Sequence, residues 1–290
     1  MGQKKLIKFA AIKEYENVLE YPQGMPGKWV AFFQELKKGT VNIALDNLAI
    51  TTRSENNLIP ASIEELKPLV LELACGRGEY AVGLGRMFAN QNFVGLDLKG
   101  NRIWKGASIA NRDGLNNVAF VRTQIDQVTD YFAKDEVDEI WITFPDPQLR
   151  LSKAKKRLTH PKFLRLYQQF LKKNDGSNQT GIVHLKTDSP NLYLFTKTVI
   201  ELYGLTLITA TDNLYDTAFM QSDKWDARYA IKTYYEGLNI ASSNRIHYIQ
   251  FKLDKELPLE LDEKLKEKIA EFEVTETHES LARNGKQAME

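Results

Sequence analysis

Leu69-Val-Leu-Glu-Leu-Ala-Cys-Gly-Arg-Gly78 is an apolar run interrupted by one acid and ending in Gly-x-Gly. A run of this kind reads as a strand buried on both faces, and the glycines after it mark a turn. The next stretch, Glu79-Tyr-Ala-Val-Gly-Leu-Gly-Arg-Met-Phe88, reads as a helix. Gly76 and Gly78 therefore stand in a strand-to-helix turn, where the backbone bends sharply and a ligand approaches closely. A second apolar run, Phe93-Val-Gly-Leu, ends in Asp97, 19 residues after Gly78. At about that spacing an acid reaches ribose hydroxyls in Rossmann-type sites. Glu72 and Asp97, at two strand ends, frame one pocket for a nucleotide-like cofactor.

Outward from this unit, strand-like and helical stretches alternate. The pattern predicts a mostly parallel sheet covered on both faces, an α/β fold. Seven strands are expected, at Leu69–Leu73, Asn92–Asp97, Val118–Arg122, Glu139–Thr143, Gly181–Leu185, Leu205–Thr209 and Ile246–Leu253. Helices are expected at Glu79–Phe88, Asn101–Asn111, Phe163–Leu171 and Asn191–Tyr203, the last with Ser189 and Pro190 as cap and first-turn proline. Three parts follow: an N-terminal arm with an insertion or loop at 1–65, a core at 66–253, and an acidic C-terminal extension at 254–290. Within the extension Leu261, Leu265 and Ile269 have helical spacing, while the last fifteen or so residues are polar enough to be disordered. Ligands in such sheets bind beyond the carboxyl ends of the strands, where Glu72, Asp97, Phe144–Pro147 and Lys186–Ser189 all fall.

Composition narrows the class. The chain has 290 residues, 43% of them hydrophobic, enough for a substantial core. No run approaches the roughly 18 apolar residues of a membrane helix, and Met1-Gly-Gln-Lys-Lys-Leu-Ile-Lys8 lacks the apolar centre of a signal peptide. A cytoplasmic protein without membrane contact is expected, either a monomer or a homodimer. Cys75 has no partner for a disulfide, and His160, His184, His247 and His278 show no ligand spacing, so no metal is expected. The net charge of +1 conceals an asymmetry: residues 254–290 carry 11 acids against 6 bases, a net −5 that leaves +6 for residues 1–253. Arg150 to Lys173 holds nine Lys and Arg and no acid. Such a run is either a solvated helix face or a surface for nucleic-acid phosphates.

Three further stretches carry candidate chemistry. Asp138-Glu-Ile-Trp-Ile-Thr-Phe-Pro-Asp-Pro147 ends a strand with Asp146 between two prolines, a stiff turn that fixes where the acid points. Lys186-Thr-Asp-Ser189 opens a helix, where either Asp188 or Ser189 serves as the cap. Thr233-Tyr-Tyr-Glu236 offers aromatic rings that either stack on a base or pack a loop.

In this order, Glu72-Leu-Ala-Cys-Gly-Arg-Gly-Glu-Tyr80, Gly95-Leu-Asp-Leu-Lys99, Phe144-Pro-Asp-Pro147 with its basic stretch, Leu185-Lys-Thr-Asp188 and Thr233-Tyr-Tyr-Glu236 closely resemble the bacterial tRNA (guanine-N7)-methyltransferase family over about residues 66–253. The resemblance implies a class I methyltransferase (Rossmann-like) fold, S-adenosyl-L-methionine as methyl donor, and a guanine of the tRNA variable loop as acceptor. It further implies that Glu72 and Asp97 bind cofactor with Gly76 and Gly78, and that Gln124 stands where the family has its third cofactor contact, usually Asp or Asn. Asp146 matches the acid at the reaction centre and edge of the cofactor site. Arg150, Asp188, Thr233 and Glu236 match substrate-side positions. After Pro147 the chain departs from the family's Trp-Pro-Lys-Lys-Arg-His, reading Gln148-Leu-Arg-Leu-Ser-Lys-Ala-Lys-Lys-Arg157. The basic run then reads as a phosphate-binding surface, aided by Lys4, Lys5, Lys8 and Lys13 of the arm.

Three other classes stay open. A nicotinamide dehydrogenase shares the strand, turn and distal acid, but Gly76-Arg-Gly-Glu-Tyr-Ala lacks the third glycine of the full pattern. A methyltransferase for exocyclic base amines would follow its strand-end acid with Pro-Pro-aromatic, whereas Asp146 is followed by Pro147-Gln148. A tRNA-binding subunit without catalysis would have no need of the cofactor acids.

Overall fold

A computed structural model describes residues 3–39, 43–48, 67–173, 181–236 and 245–270. The strands are β1 Val18–Glu20, β2 Leu69–Leu73, β3 Asn92–Asp97, β4 Val118–Arg122, β5 Glu139–Thr143, β6 Ile182–Thr187, β7 Thr206–Thr211 and β8 His247–Lys252. The helices are α1 Gln3–Ala11, α2 Trp29–Lys38, α3 Glu79–Met87, α4 Gly100–Arg112, α5 Pro161–Tyr167, α6 Pro190–Leu202 and the short α7 Thr217–Met220. Residues 261–270 are also helical.

All these strands form one eight-stranded sheet in the order β1-β4-β3-β2-β5-β6-β8-β7, parallel except for β8, which runs antiparallel to both its neighbours. β2 pairs with β3 on one side and β5 on the other. The chain thus winds outward in one direction from β2 and resumes on its other side at β5. This reversal opens a crevice at the carboxyl ends of the central strands, the place where such sheets bind ligands.

The central strands are buried on both faces because they alternate residues between two apolar clusters. Leu69, Leu71 and Leu73 enter one cluster with Trp29 and Phe32 of α2, Phe163 of α5 and Phe195 of α6. Val70 enters the other with Tyr80 of α3, Ile103 of α4 and the ring of Tyr248. Period-two alternation puts Glu72 on the second face, beneath α3. α6 begins as its sequence suggests: Ser189 Oγ accepts from Leu192 N at 3.2 Å, with Pro190 in the first turn. Ser189, rather than Asp188, is therefore the cap.

Among the described residues there are eight strands where seven are expected. The addition is β1, in the stretch expected to be an arm. Its three residues are too few to show a periodicity, yet they pair in parallel with β4 through Val18 and Phe120. Trp29 and Phe32 are 1% and 0% exposed, so α2 is core rather than appendage. Of the insertion or loop expected within 1–65, 43–48 contains a 3-10 turn at Leu45–Asn47, and 40–42 and 49–65 lie outside the described residues. The C-terminal extension also contributes to the core, through Leu265 and Ile269 at 1% and 6% exposure. The last fifteen or so residues, expected to be disordered, lie outside the described residues, which end at 270.

Candidate active site

The turn after β2 is built from backbone. Ala74, Gly76 and Gly78 have φ of 54°, 56° and 70°, and Gly78 is the residue from which α3 starts. Cys75 N donates to Leu96 O at 2.9 Å and Gly78 N to Cys75 O at 2.7 Å, tying the turn to β3. The two glycines play different parts. A Cβ on Gly76 would meet no heavy atom within 4 Å, whereas one on Gly78 would lie 2.3 Å from the ring of Phe120. Gly76 faces open space, whereas the α-carbon of Gly78 packs against the Phe120 ring.

Glu72 and Asp97 also separate. Asp97, at the end of β3, accepts from Gly76 N at 2.9 Å and from Lys99 N at 2.7 Å. Glu72 is 2% exposed; it accepts from Ala81 N at 2.8 Å and from Thr143 Oγ1 at 3.1 Å. Burial raises its pKa to about 8 against the opposing bond from Ala81. Glu72 thus holds α3 to β5 from beneath the turn.

A cavity of about 180 Å³ opens beside this turn, lined by Ala74 to Gly76, Glu79, Asp97, Lys99, Arg102, Thr143 to Asp146, Thr233 and Tyr235. Three stretches picked from the sequence therefore meet: the glycine turn, the Phe-Pro-Asp-Pro turn and the Thr233 loop. Asp146 is exposed and accepts from Gln148 N at 3.1 Å. Phe144 and Gln148, on either side, adopt the left-handed region at φ 48° and 49°. Such strain persists where surrounding contacts enforce it. Here Phe144 N donates to Lys186 O at 2.8 Å, and Arg157 Nε reaches Pro147 O and Gln148 O at 3.2 and 3.3 Å.

The remaining candidates lie around the cavity rather than on its lining. Gln124 is exposed at the start of the 3-10 turn Ile125–Asp130, and Arg150 is exposed at the start of another, Leu151–Lys156. Asp188 is half-buried between β6 and α6. Glu236 sits beneath the Thr233 loop, its side chain 5% exposed.

The basic run divides as well. Arg157 is 4% exposed with its guanidinium 4.5 Å from the ring of Phe195. Arg165 binds Asp262 and Leu257 O, and Lys172 is paired with Asp138. Arg150, Lys153, Lys155 and Lys156 stand exposed directly after the Asp146 turn. Two groups lie inside stretches singled out from the sequence but receive no role there. Glu79 lines the cavity and accepts from Tyr234 N at 3.3 Å. Lys186, fully buried, lies 3.0 Å from Glu236 Oε2; burial lowers its pKa to about 8, with the Glu236 carboxylate opposing the shift. A lysine inside an apolar strand was the available signal. Among the described residues no helix is long and apolar enough to cross a membrane.

A mainly parallel sheet whose order reverses at β2 and whose antiparallel β8 lies between β6 and β7, with an acid and an open glycine turn at the crevice, has the architecture of a class I methyltransferase fold. Residues 66–238 match the family model described as a putative methyltransferase. The chain is 42% identical to the tRNA (guanine-N(7)-)-methyltransferase of Bacteroides fragilis, with 88% of each chain covered. It is 47% identical to the enzyme of that name from Porphyromonas gingivalis, over 64% of this chain and 71% of the other. A solved SAM-dependent methyltransferase from Aquifex aeolicus is similar at 13% identity and a TM-score of 0.42, covering 65% of this chain and 84% of that one. The chain belongs to the tRNA (guanine-N7)-methyltransferase family.

Proposed function

We propose that the protein transfers the methyl group of S-adenosyl-L-methionine to N7 of a guanine in the variable loop of tRNA. The observation that carries this reading is one cavity lined by both Gly76–Asp97 and Phe144–Asp146, in a chain with such relatives. The lining fits the donor. Gly76 leaves open space beside the turn, Asp97 offers a carboxylate suited to ribose hydroxyls, and Glu79 and Asp146 put negative charge near a ligand that carries a sulfonium. Asp97, Gly76 and Glu79 hold the cofactor, and Gly78 and Glu72 keep their turn in shape. Gln124, exposed before the 3-10 turn that follows β4, is the residue assigned to the adenine edge.

When bound, the cofactor supplies an electrophilic methyl on a positively charged sulfur. Guanine N7 has a lone pair and no proton to lose. Its lone pair forms the new bond to carbon while the electrons of the sulfur–carbon bond stay on sulfur, so no strong base is needed. The task left to the protein is alignment and charge. Asp146, fixed between Pro145 and Pro147, positions the purine and favours the positive charge that develops on it. Arg150, Lys153, Lys155 and Lys156 carry tRNA phosphates next to that turn, while Asp188 and Thr233 flank the acceptor base. The protein acts in the cytoplasm, where its tRNA substrate resides.

The test is incubation with unmodified tRNA and methyl-labelled cofactor, followed by nucleoside analysis. Label in 7-methylguanosine is expected; label in another nucleoside, or none, would overturn the reading.

A further inference from the structure

Lys186 is 0% exposed, and its ammonium is surrounded by acceptors: Tyr215 Oη at 2.8 Å, Ile231 O at 2.9 Å, Glu236 Oε2 at 3.0 Å and Tyr229 O at 3.1 Å. An ammonium has three protons to donate, so this shell saturates it. Glu236 is engaged on both oxygens. Oε2 faces Lys186 and accepts from Thr233 N at 3.4 Å, while Oε1 accepts from the Tyr215 hydroxyl. Glu236 N in turn donates to Thr233 Oγ1 at 3.3 Å.

The segment that carries the Tyr229 carbonyl is itself anchored. Arg228, beside Tyr229, donates to Glu139 Oε1 of β5 at 2.7 Å and to Asp226 Oδ2 at 2.8 Å. The backbone of Lys186 reaches the opposite wall of the cavity: it pairs with Thr143, and its carbonyl accepts from Phe144 N. One residue therefore holds the strand end that carries Asp146 and, through Glu236, the loop that brings Thr233 and Tyr235 to the lining.

We propose that Lys186 is a positioning residue and that Glu236 and Tyr215 close a buried clasp with it, so that Glu236 shapes the 233–235 loop and does not touch the guanine. The inference rests on the methyl-transfer reading and reassigns one residue that the family resemblance puts on the substrate side. Its energetics differ from those of a substrate contact. Removing one partner of a buried ion pair strands a charge, whereas replacing both charges is often tolerated. A carboxylate that binds substrate has no such compensation.

The experiment compares wild type, E236Q, K186M and K186M/E236Q as full-length proteins, measuring kcat and KM for unmodified tRNA, cofactor affinity by calorimetry, and Tm. In E236Q the amide oxygen accepts from Lys186 and Thr233 N, while its NH2 donates to the Tyr215 hydroxyl, which turns its own proton to Tyr229 O. Lys186 keeps its three neutral acceptors, and a loss of less than tenfold in kcat/KM is expected. K186M should lose about 100-fold, with cofactor affinity falling far less, and K186M/E236Q should regain tenfold or more over K186M. A loss of tenfold or more in E236Q at wild-type Tm would overturn the clasp, as would a double variant no better than K186M. If K186M does not fold, the E236Q result alone decides. A wild type that left tRNA unmethylated would remove both proposals, whereas methylation by wild type with a failing E236Q would remove this one alone.

Discussion

Asp97 Oδ2 accepts a hydrogen bond from Gly76 N at 2.9 Å, which makes the acid ending β3 and the turn following β2 one structural unit. The other oxygen accepts from Lys99 N at 2.7 Å, so the carboxylate also fixes the start of α4. An amide has only one acceptor oxygen, and Asp97→Asn must leave one of these two N–H groups facing a donor. Hydrogen bonds to a charged group are worth about 1.5–3 kcal/mol, and cofactor affinity should fall roughly 10- to 100-fold. Calorimetric titration with S-adenosyl-L-methionine checks this; an unchanged Kd would detach Asp97 from the cofactor site.

Gly76 and Gly78, two residues apart, should fail in opposite ways. A methyl on Gly78 lands 2.3 Å from the Phe120 ring in a left-handed conformation, and Gly78→Ala should cost about 2–4 kcal/mol of stability. Gly76→Ala adds its methyl to open space at φ 56°, with a strain of about 1 kcal/mol. Its main effect should be on cofactor binding, because the methyl projects into the open space assigned above to the cofactor. Thermal denaturation and cofactor titration on both variants separate the two; equal losses of stability would contradict the assignment.

Buried Glu72 has a folded-state pKa of about 8 against an ordinary 4.5. The native state therefore keeps a proton that the unfolded chain releases, and stability from this group is fully present below pH 4.5 and lost as pH rises to 8. Glu72→Gln resembles the protonated acid: its oxygen accepts from Ala81 N, and its amide group donates to Thr143 Oγ1. The variant should lack this dependence and exceed wild type at pH 8 by ~1–3 kcal/mol. Urea unfolding of both proteins at pH 5 and pH 8 tests the difference. A wild type equally stable relative to the variant at both pH values would contradict the shift.

Strands β2 to β6 were legible because parallel, doubly covered strands read as continuous apolar runs, whereas the antiparallel β8 and the largely exposed edge strand β7 showed as apolar stretches of their own. β1 was hidden by its three residues, and α2 by the absence of a neighbouring strand pattern to place it. The site was legible where chemistry depends on residue type at a strand end, as with Asp97 and Asp146. It was not legible where function depends on long-range partners. The shell of Lys186 comes from Tyr215, Tyr229, Ile231 and Glu236, all in the connection between β7 and β8. Gly76 and Gly78 look alike in sequence, and only the position of Phe120 tells them apart.

The same limit applies to the basic run, where nine like charges conceal two populations. Replacing Lys153, Lys155 and Lys156 by Ala should weaken tRNA binding and lower the magnitude of the log Kd against log salt slope by about one for each phosphate no longer neutralised. Stability should hardly change, since all three are exposed. Arg157→Ala should instead destabilise the protein by about 2–4 kcal/mol, because its buried guanidinium supports Pro147 O and Gln148 O. Filter-binding across a salt series, with Tm measured alongside, distinguishes them; a triple variant with an unaltered slope would place the tRNA elsewhere.

Asp146 provides the most direct test of the chemistry, because it is exposed at the cavity rim and its substitution leaves the core alone. Asp146→Asn retains an oxygen for Gln148 N and should therefore preserve the turn. What it loses is the negative charge beside a purine that becomes positive as the methyl arrives. Removing one preorganised electrostatic interaction of this kind costs on the order of 10²- to 10³-fold in kcat. The cofactor Kd should move far less than kcat, since Asp97, Glu79 and the glycine turn are untouched and one of two negative charges near the sulfonium remains, and the effect should appear in single-turnover rates on tRNA. Near-normal turnover by Asp146→Asn would show that the acid only braces its turn, because the variant keeps the bracing bond and loses nothing but the charge.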